Sequence, residues 1–458
     1  MEEQKKQSAL RAERMGTDPV GSVLRSMAIP IMISMLVQAL YNVVDSIYVA
    51  KLGEDALNAV SLAFPLQNTM IAFAGGTGLG MNALLSRYLG AKRQEQADRA
   101  ACTGIFLSVI TAFVFALIGV LFSRPFFRSL TDNESIIAYG TDYATVCLLF
   151  SLGLFCQFSF ERMLQATGRS RLSMITQTTG AVINIILDPI LIFGLLGFPR
   201  LEVKGAAIAT VAGQIVSAIL ALILNKKKNA DVNLSLGTVL RPSGRMIKEI
   251  YRIGFPSILM MSIGSVLNYL LNLILIGFST AATAVYGAYF KLQNFIFMPV
   301  FGLNNAMVPL ISYNFGAKKP DRIKKTIRLS VLTALVIMSC GTLLFELFPK
   351  TLLGFFSASE EMLSIGVPAL RIIAPHFMLA AFCIIGGSVC QSIGNPLHSL
   401  VISVCRQLVV LLPAAWLLAQ TGRLELVWLA FPLAELVSLA LTTVFLKKTL
   451  KKADSLQA

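Results

Sequence analysis

The stretch from Asn184 to Gly194, Asn-Ile-Ile-Leu-Asp-Pro-Ile-Leu-Ile-Phe-Gly, carries one acidic residue inside an otherwise apolar run. A carboxylate at bilayer depth costs roughly 3 kcal/mol even on lenient insertion scales, so it indicates a cavity, a partner or an ion. Asn184 precedes Asp188 by four residues, which places both side chains on one face of a helix. Pro189 donates no backbone hydrogen bond and loosens the helix beside the carboxylate. We interpret this stretch as one side of an ion site.

The composition assigns the whole chain to the membrane. Of its 458 residues, 55% are hydrophobic and only 14% are charged, whereas soluble proteins carry about 25% charged residues. The net charge of +15 does not indicate nucleic acid, because the basic residues cluster between apolar runs in the manner of the positive-inside rule. We therefore predict an all-α polytopic membrane protein with the lipid bilayer, and no nucleic acid, as a partner.

Apolar runs long enough to cross a bilayer, at about 20 residues each, recur along the chain. We predict twelve transmembrane spans, at 26–50, 58–86, 101–123, 136–160, 172–197, 205–225, 253–278, 282–311, 329–348, 362–390, 396–419 and 424–446. With both termini in the cytoplasm, the inner segments hold 29 of the 39 Lys and Arg residues and the outer segments hold seven. This asymmetry predicts a multi-pass protein of the plasma (inner) membrane with both termini cytoplasmic.

The longest polar stretch lies near the middle of the chain and begins with three lysines, Lys226 to Lys228. We interpret it as a linker between two lobes of six spans. The predicted division is a cytoplasmic arm at 1–25, an N lobe at 26–225, the linker at 226–248, a C lobe at 249–447 and a cytoplasmic tail at 448–458.

The two halves are related by a constant offset of 226 residues. This offset pairs identical residues over nearly 140 positions without a gap: Pro30 and Pro256, Asn42 and Asn268, Gln67 and Gln293, Asn68 and Asn294, Ser86 and Ser312, Gly90-Ala91-Lys92 and Gly316-Ala317-Lys318, Gln165 and Gln391, Gly168 and Gly394. Each copy has an even number of spans, so the copies cross the membrane in the same direction, and a substrate path between the lobes is expected.

The two acids are not repeated. Asp45, in the first span, aligns with Leu271, and Asp188 aligns with Leu412 after a slip of two residues. The acidic chemistry is therefore predicted to belong to the N lobe.

Other kinds of chemistry find no support in the residue pattern. The seven cysteines lie in apolar segments without a C-x-x-C pair, and the chain has two histidines, so we expect no metal site, no disulfide framework and no cofactor. The glycines between Gly75 and Gly80 lie inside a span, which favours close helix packing over a phosphate loop. No Walker-type pattern occurs, so we expect neither direct ATP coupling nor an enzyme.

These features resemble the MATE family, the multidrug and toxic compound extrusion transporters. The resemblance covers almost the whole chain and is most specific at Asp45, at the Asn184–Gly194 stretch, at Gly205-Ala-Ala-Ile-Ala-Thr210 and at Gln165-Ala-Thr-Gly168. It implies a cation-coupling cluster of Asp45, Asn184, Asp188 and Thr210, and bends at Pro30 and Pro189. In another MATE branch, acids of spans 7 and 10 bind cations, whereas here span 10 offers Arg371 and His376 without a carboxylate.

The side chains that we expect along the substrate path are polar or aromatic residues of both lobes: Gln38, Tyr41, Asn42, Gln67, Asn268, Asn272, Tyr286, Tyr289, Gln293, Asn294 and His376. A packing role is the alternative for His376 and Gln67. The two acids can alternatively be structural, hydrogen-bonded groups. Arg406 of span 11 is expected to pair with Glu435 of span 12.

The predicted function is a secondary active multidrug efflux antiporter, which exports amphipathic and cationic organic compounds and thereby contributes to antibiotic resistance. The coupling ion is Na⁺, which oxygen ligands suit, or H⁺, which two carboxylates in one pocket favour; both stay open. A monomer is expected. The alternatives are a lipid-linked precursor flippase of the same superfamily, a channel and a membrane-embedded enzyme.

Overall fold

The computed structural model describes residues 12–356 and 358–454 of the chain. The predicted N-terminal arm falls partly, at 1–11, and the predicted tail partly, at 455–458, outside the described residues. Within the described part of the chain the regular structure is helical.

Eight spans are single helices. Spans 1, 2, 3, 5, 6, 7, 8 and 9 are, in this order, Val20–Ala50, Glu54–Gly90, Gln94–Leu130, Ser170–Phe193, Glu202–Lys228, Gly244–Ile276, Thr280–Gly316 and Pro320–Leu347. They reach beyond the predicted spans at most ends, because a helix continues past the hydrocarbon layer once its polar residues meet water.

The other four spans are interrupted. Span 4 is Glu134–Leu149 and Leu152–Ala166; span 10 is Glu360–Ile373 and His376–Ile393; span 11 is Pro396–Val404, the π-helical turn Cys405–Leu411, and Leu412–Ala419; span 12 is Leu424–Trp428 and Ala430–Asp454. Short helices at Leu195–Gly197, Leu236–Val239 and Pro349–Gly354 lie in the connections. Pro30 and Pro189 lie inside continuous helices, and their role as hinges stays a prediction.

The span count agrees with the sequence. Ten helical segments of the described chain are long and apolar enough to cross a bilayer, and the pair Glu134–Leu149 and Leu152–Ala166, bent by 46°, makes an eleventh. The twelfth is Glu54–Gly90, whose 37 residues extend roughly 55 Å at 1.5 Å per residue and which packs against spans 7 and 8. The fold is thus the predicted one, twelve transmembrane helices in two related six-helix lobes.

The helices of spans 6 and 7 extend into the predicted linker, 226–248. Span 6 continues as helix through the three lysines to Lys228, and span 7 begins at Gly244, so the connection between these helices is 229–243. Lysines in the last turn interact favourably with the negative end of the helix dipole, which explains why the helix includes them.

The repeat is visible in individual hydrogen bonds. Ser86 Oγ donates to the carbonyl of Ala166, and Ser312 Oγ donates to that of Ser392, each 80 residues further along. The same offset of 226 relates the hydrogen bond from Gln165 Nε2 to Ser173 Oγ with the bond from Gln391 Nε2 to Ser399 Oγ. It also relates Lys92 with Lys318, which both have a positive φ, of 57° and 56°. The offset inferred from residue identities therefore also relates the two folded lobes.

One end of the bundle carries both ends of the described chain, and we call it the terminal face. Here Asn314 Nδ2 donates to the carbonyl of Met15 at 3.0 Å, and Lys324 pairs with Asp454 at 2.8 Å. The turn after span 2 and the turn after span 8 lie at this same end. That this face is cytoplasmic stays a prediction from the distribution of Lys and Arg residues.

The lobes pack together through spans 1 and 8 and through spans 2 and 7. A Cβ atom at Gly80 would lie 2.3 Å from the carbonyl oxygen of Ile250, and one at Gly76 would lie 2.7 Å from that of Gly254. The glycines predicted to serve close helix packing do so, and they bring the lobes together in the half of the bundle nearer the terminal face. Tyr88 Oη donates to Glu249 Oε2 at 2.6 Å across the same boundary.

Candidate functional site

Spans 5 and 6 approach each other closely because glycines line their contact. A Cβ atom at Gly205 would lie 2.6 Å from the backbone of Leu191, and one at Gly213 would lie 2.6 Å from the carbonyl oxygen of Gly180. Small residues of this kind let helix backbones touch. The close approach brings Thr210 of span 6 beside Asn184 of span 5.

Asn184 connects Thr210 with Asp188. In the amide orientation that satisfies both neighbours, Asn184 Nδ2 donates to Asp188 Oδ2 at 3.3 Å, while its oxygen accepts from Thr210 Oγ1 and from the Thr210 backbone N–H, both at 3.2 Å. Asp188 is completely buried and Asn184 is 3% exposed. Buried polar groups of this kind need partners, and these three supply one another.

Asp45 of span 1 completes the group. Its carboxyl group lies within hydrogen-bonding reach of the Asp188 carboxyl group. The Oδ1 atom of Asp45 is buried, and no hydrogen-bond donor for it occurs among the described residues. Two carboxylates at this separation repel each other unless a proton or a metal cation lies between them.

A small hollow, part of it open, adjoins Asn184 and Thr210 of this cluster. Its walls come from spans 1, 4, 5 and 6, and they are rich in amide and hydroxyl groups: Gln38, Tyr41, Gln157, Gln177, Asn184, Thr210, Gln214 and Ser217. Asn184 and Thr210 thus connect the two acids to a hollow with polar side chains in its walls, within the N lobe.

The structure brings together six of the residues predicted for the site: Asp45, Asn184, Asp188, Thr210, Gln38 and Tyr41. Carboxylate, amide and hydroxyl oxygens are ligands that Na⁺ accepts, and two adjacent carboxyl groups also suit one shared proton. The arrangement can therefore bind one small cation.

Gln67 has a partner that sequence reasoning missed. Its Nε2 atom donates to the hydroxyl of Tyr143 at 2.9 Å, and Tyr143, 2% exposed, neighbours Asp45. A lone tyrosine in an apolar span carries no signal in a single sequence. The Tyr143 hydroxyl extends the polar cluster towards span 2.

Three candidates of the C lobe lie in its aromatic core. The rings of Tyr286, Tyr289 and His376 pack around Phe431, with centroid distances of 6.4, 5.5 and 6.0 Å respectively. All three side chains are buried, and His376 Nδ1 lies 2.7 Å from the carbonyl oxygen of Ile373. In this conformation they pack within the lobe, which is the alternative role considered for His376.

The remaining path candidates are more accessible. Asn272 Nδ2 donates to the carbonyl of Asn268 at 2.9 Å; both residues, like Gln293 and Asn294, are half-buried, and Asn42 is exposed. The structure does not join these residues to the acidic cluster.

The deep charges of the C lobe are paired or exposed. Arg406 Nη1 lies 3.5 Å from Glu435 Oε2, which is the predicted ion pair between spans 11 and 12. Arg371 is exposed, and its Nε donates to the carbonyl of Glu346 at 3.3 Å. Among the described residues, no group of three or more His, Cys, Asp or Glu side chains is placed so that it could hold a metal ion.

Twelve spans in two related lobes, with a pair of acids buried in one lobe, define a polytopic membrane transporter. The chain belongs to the MATE family: the family model described as MatE matches residues 30–190 and again residues 256–417, once in each lobe. The two matches begin 226 residues apart, which is the offset of the internal repeat.

Relatives and a solved structure agree over nearly the full length. The chain is 29% identical to "Probable multidrug resistance protein YoeA" of Bacillus subtilis and 28% identical to the "FAD transporter" of Shewanella oneidensis, with 92% of each chain covered in both cases. A structure described as the outward-facing conformation of a multidrug resistance MATE family transporter of the MOP superfamily matches with a TM-score of 0.90 and 25% identity, covering 97% of this chain and 99% of that chain. The predicted family is confirmed, and the names of the relatives show that cargo varies among them.

Proposed function

We propose that this chain is a secondary active antiporter that exports amphipathic, often cationic organic compounds in exchange for H⁺ or Na⁺. The observation that carries the proposal is the contact between the carboxyl groups of Asp45 and Asp188, with Asp45 Oδ1 buried and lacking a donor among the described residues. A cation relieves the repulsion there and supplies what that oxygen lacks.

Coupling follows from the position of Asp45 on span 1. Span 1 packs against span 5 within its own lobe and against span 8 of the other lobe. A cation that draws Asp45 to Asp188 therefore changes how span 1 lies between the lobes. Because a ligand shifts a conformational equilibrium only by its differential affinity for the two states, cation binding must favour the state that releases cargo.

The proposal also specifies how the lobes alternate between two states. With the terminal face in the cytoplasm, contacts between the lobes near that face correspond to a state open towards the outside. Export then requires these contacts to separate while the opposite ends of the lobes close. The division into N lobe, linker and C lobe gives the two bodies that move.

The test is transport by purified protein in proteoliposomes. A fluorescent organic cation is offered under a pH gradient and, separately, under a Na⁺ gradient, with Asp188→Asn as the coupling variant and Glu435→Gln as the matched buried acid of the C lobe. We expect one gradient to drive transport, Asp188→Asn to reduce it to a small residual rate, and Glu435→Gln to retain it. Transport by Asp188→Asn at the wild-type rate would refute the coupling role.

The cargo is tested in the same vesicles. Because one relative bears the name FAD transporter, FAD is offered beside the organic cation. If the vesicles take up FAD and not the organic cation, the antiport mechanism stays and the proposed cargo changes from organic cations to FAD.

A further inference from the structure

The side chain of Arg87, near the end of span 2, reaches from the N lobe into the C lobe. Its Nη2 atom donates to the carbonyl oxygen of Ser392 at 3.0 Å, and its guanidinium lies over the Phe315 ring, 5.0 Å from the ring centre. The Nε atom is buried, and no hydrogen-bond acceptor for it occurs among the described residues. Because a guanidinium is costly to remove from water, this contact between the lobes calls for a role.

The C lobe receives this guanidinium at the end of span 10. Ser392 lies in the last turn of the helix His376–Ile393, where carbonyl groups lack partners within the helix and the helix dipole is negative. Gly394 follows with φ of 93°, and a Cβ atom there would lie 3.1 Å from Arg87 Nη2. The arginine thus stabilises the end of a C-lobe helix, and the glycine leaves the space that the guanidinium occupies.

The N lobe ends the equivalent helix, that of span 4, with an arginine of its own. The carbonyl of Thr167 there accepts from Arg169 Nη1 at 3.3 Å, and both residues belong to the N lobe. The residue of span 8 that is equivalent to Arg87 is Tyr313, whose Cε1 atom would lie 2.9 Å from a Cβ atom at Gly16. One copy of the repeat therefore folds without an arginine at this position, which indicates that Arg87 does more than complete the fold.

Among the described residues, no carboxylate pairs with Arg87. An acid near it, Glu249 of span 7, accepts from Tyr88 Oη at 2.6 Å and pairs with Arg245 at 3.1 Å. A hydrogen bond from a guanidinium to a neutral carbonyl is weaker than one to a carboxylate. The contact of Arg87 with the C lobe is therefore one that separation of the lobes can break and their return can restore.

We propose that Arg87 holds the two lobes together at the terminal face and thereby sets the balance between the two states of the transporter. Opening of the terminal face separates span 2 from span 10 and removes the guanidinium from Ser392. Because the contact exists in only one of the two states, its loss shifts the equilibrium towards the other. This inference rests on the proposed alternation of the lobes and names the residue that biases it.

The test is hydrogen exchange, measured by mass spectrometry on the full-length protein in detergent, with Arg87→Gln and Arg87→Met. The reporters are the backbone amides of 91–93 and 317–319, which donate within the turns after spans 2 and 8. We expect them to exchange about tenfold faster or more in both variants, because the closed state loses a hydrogen bond from a charged group. Exchange in the connection 194–201, at the opposite face, should not rise.

Two further variants serve as controls. Arg93→Gln removes an exposed arginine of the turn after span 2 and should exchange as the wild type does. Arg87→Lys keeps the charge and can donate to one carbonyl, so its exchange should lie between that of the wild type and that of Arg87→Met.

Three results would overturn the inference. Exchange of 91–93 and 317–319 at the wild-type rate in both variants would show that the guanidinium does not hold the lobes. A rise confined to 394–395 would mean that Arg87 only supports the end of span 10, and a rise throughout the chain with a lower melting temperature would mean a general loss of stability. Uptake in proteoliposomes is measured in parallel. If neither gradient drives uptake by the wild type, the proposed antiport fails, whereas faster exchange confined to the terminal face still supports closure of that face by Arg87.

Discussion

Gly90 and Gly316 occupy equivalent places in the two lobes, and each lies against the backbone of the other lobe. A Cβ atom at Gly90 would lie 2.0 Å from the carbonyl oxygen of Tyr313, and one at Gly316 would lie 2.0 Å from that of Arg87. Tyr313 and Arg87 are themselves 226 residues apart. The reciprocal contact places the approximate two-fold axis between these two glycines, at the terminal face.

Alanine at either glycine should force the lobes apart at this face. Overpacking of this kind costs about 1–3 kcal/mol, so Gly90→Ala and Gly316→Ala should lower the melting temperature and make the turns after spans 2 and 8 more sensitive to protease. Gly287→Ala is the control on span 8, since nothing lies within 4 Å of a Cβ atom there. If Gly90→Ala melts as the control does, the lobes do not touch at this point.

The hydroxyl of Thr210 should matter more than its methyl group. Thr210→Val removes the donor to Asn184, and a lost hydrogen bond of about 1 kcal/mol corresponds to roughly fivefold weaker cation binding. Thr210→Ser keeps the donor and should stay within about twofold of wild type. The measurement is gradient-driven uptake of the cargo as a function of the concentration of the coupling cation. Equal effects of Thr210→Val and Thr210→Ser would contradict the role of the hydroxyl.

Asp45→Asn and Asp188→Asn should not be additive. Because the two carboxyl groups share one cation, either change removes the shared site. The double variant should therefore transport no more slowly than the less active of the two single variants. A double-mutant cycle on driven uptake checks this. Additive losses would mean that the two acids act at separate places.

Arg169 and Asp231 form an ion pair that is almost completely buried. Removing one partner leaves an uncompensated buried charge, so Arg169→Leu should cost about 3–5 kcal/mol in stability. The double change Arg169→Leu with Asp231→Leu should cost less, because no charge is left behind. The exposed pair of Arg14 and Asp18 is the comparison, where Arg14→Ala should cost about 0–1 kcal/mol. Melting curves of the purified variants decide.

The sequence predicted the family, the twelve spans and the repeat because these depend on patterns that extend over many residues. Apolar runs determine the spans, and identities at a fixed offset determine the relation of the lobes. The same signals predicted the cluster around Asp188, since an acid in an apolar run is unusual by itself.

The features that were missed depend on contacts between distant segments. Glu161 lies one residue beyond the predicted end of span 4, next to Arg162, where an acid looks like part of a polar loop. Only the packing of span 5 shows that it is buried. The breaks in spans 10 and 11 leave the apolar pattern unchanged, and the packing of Tyr286 and Tyr289 around Phe431 requires the fold of the C lobe to be known.

The linker has one further consequence for movement. Gln94 Nε2 donates to the carbonyl of Asp231 at 2.7 Å, and Asp98 accepts from the backbone N–H of Asn233 at 2.9 Å. The connection between spans 6 and 7 is therefore bound to the N lobe over its first half. The part left to move is 240–243, between the short helix Leu236–Val239 and the start of span 7 at Gly244. A C lobe that rocks must pivot about 240–243, which Pro242 already stiffens, so Pro242→Gly should loosen this connection and change the transport rate without altering any residue of the ion site.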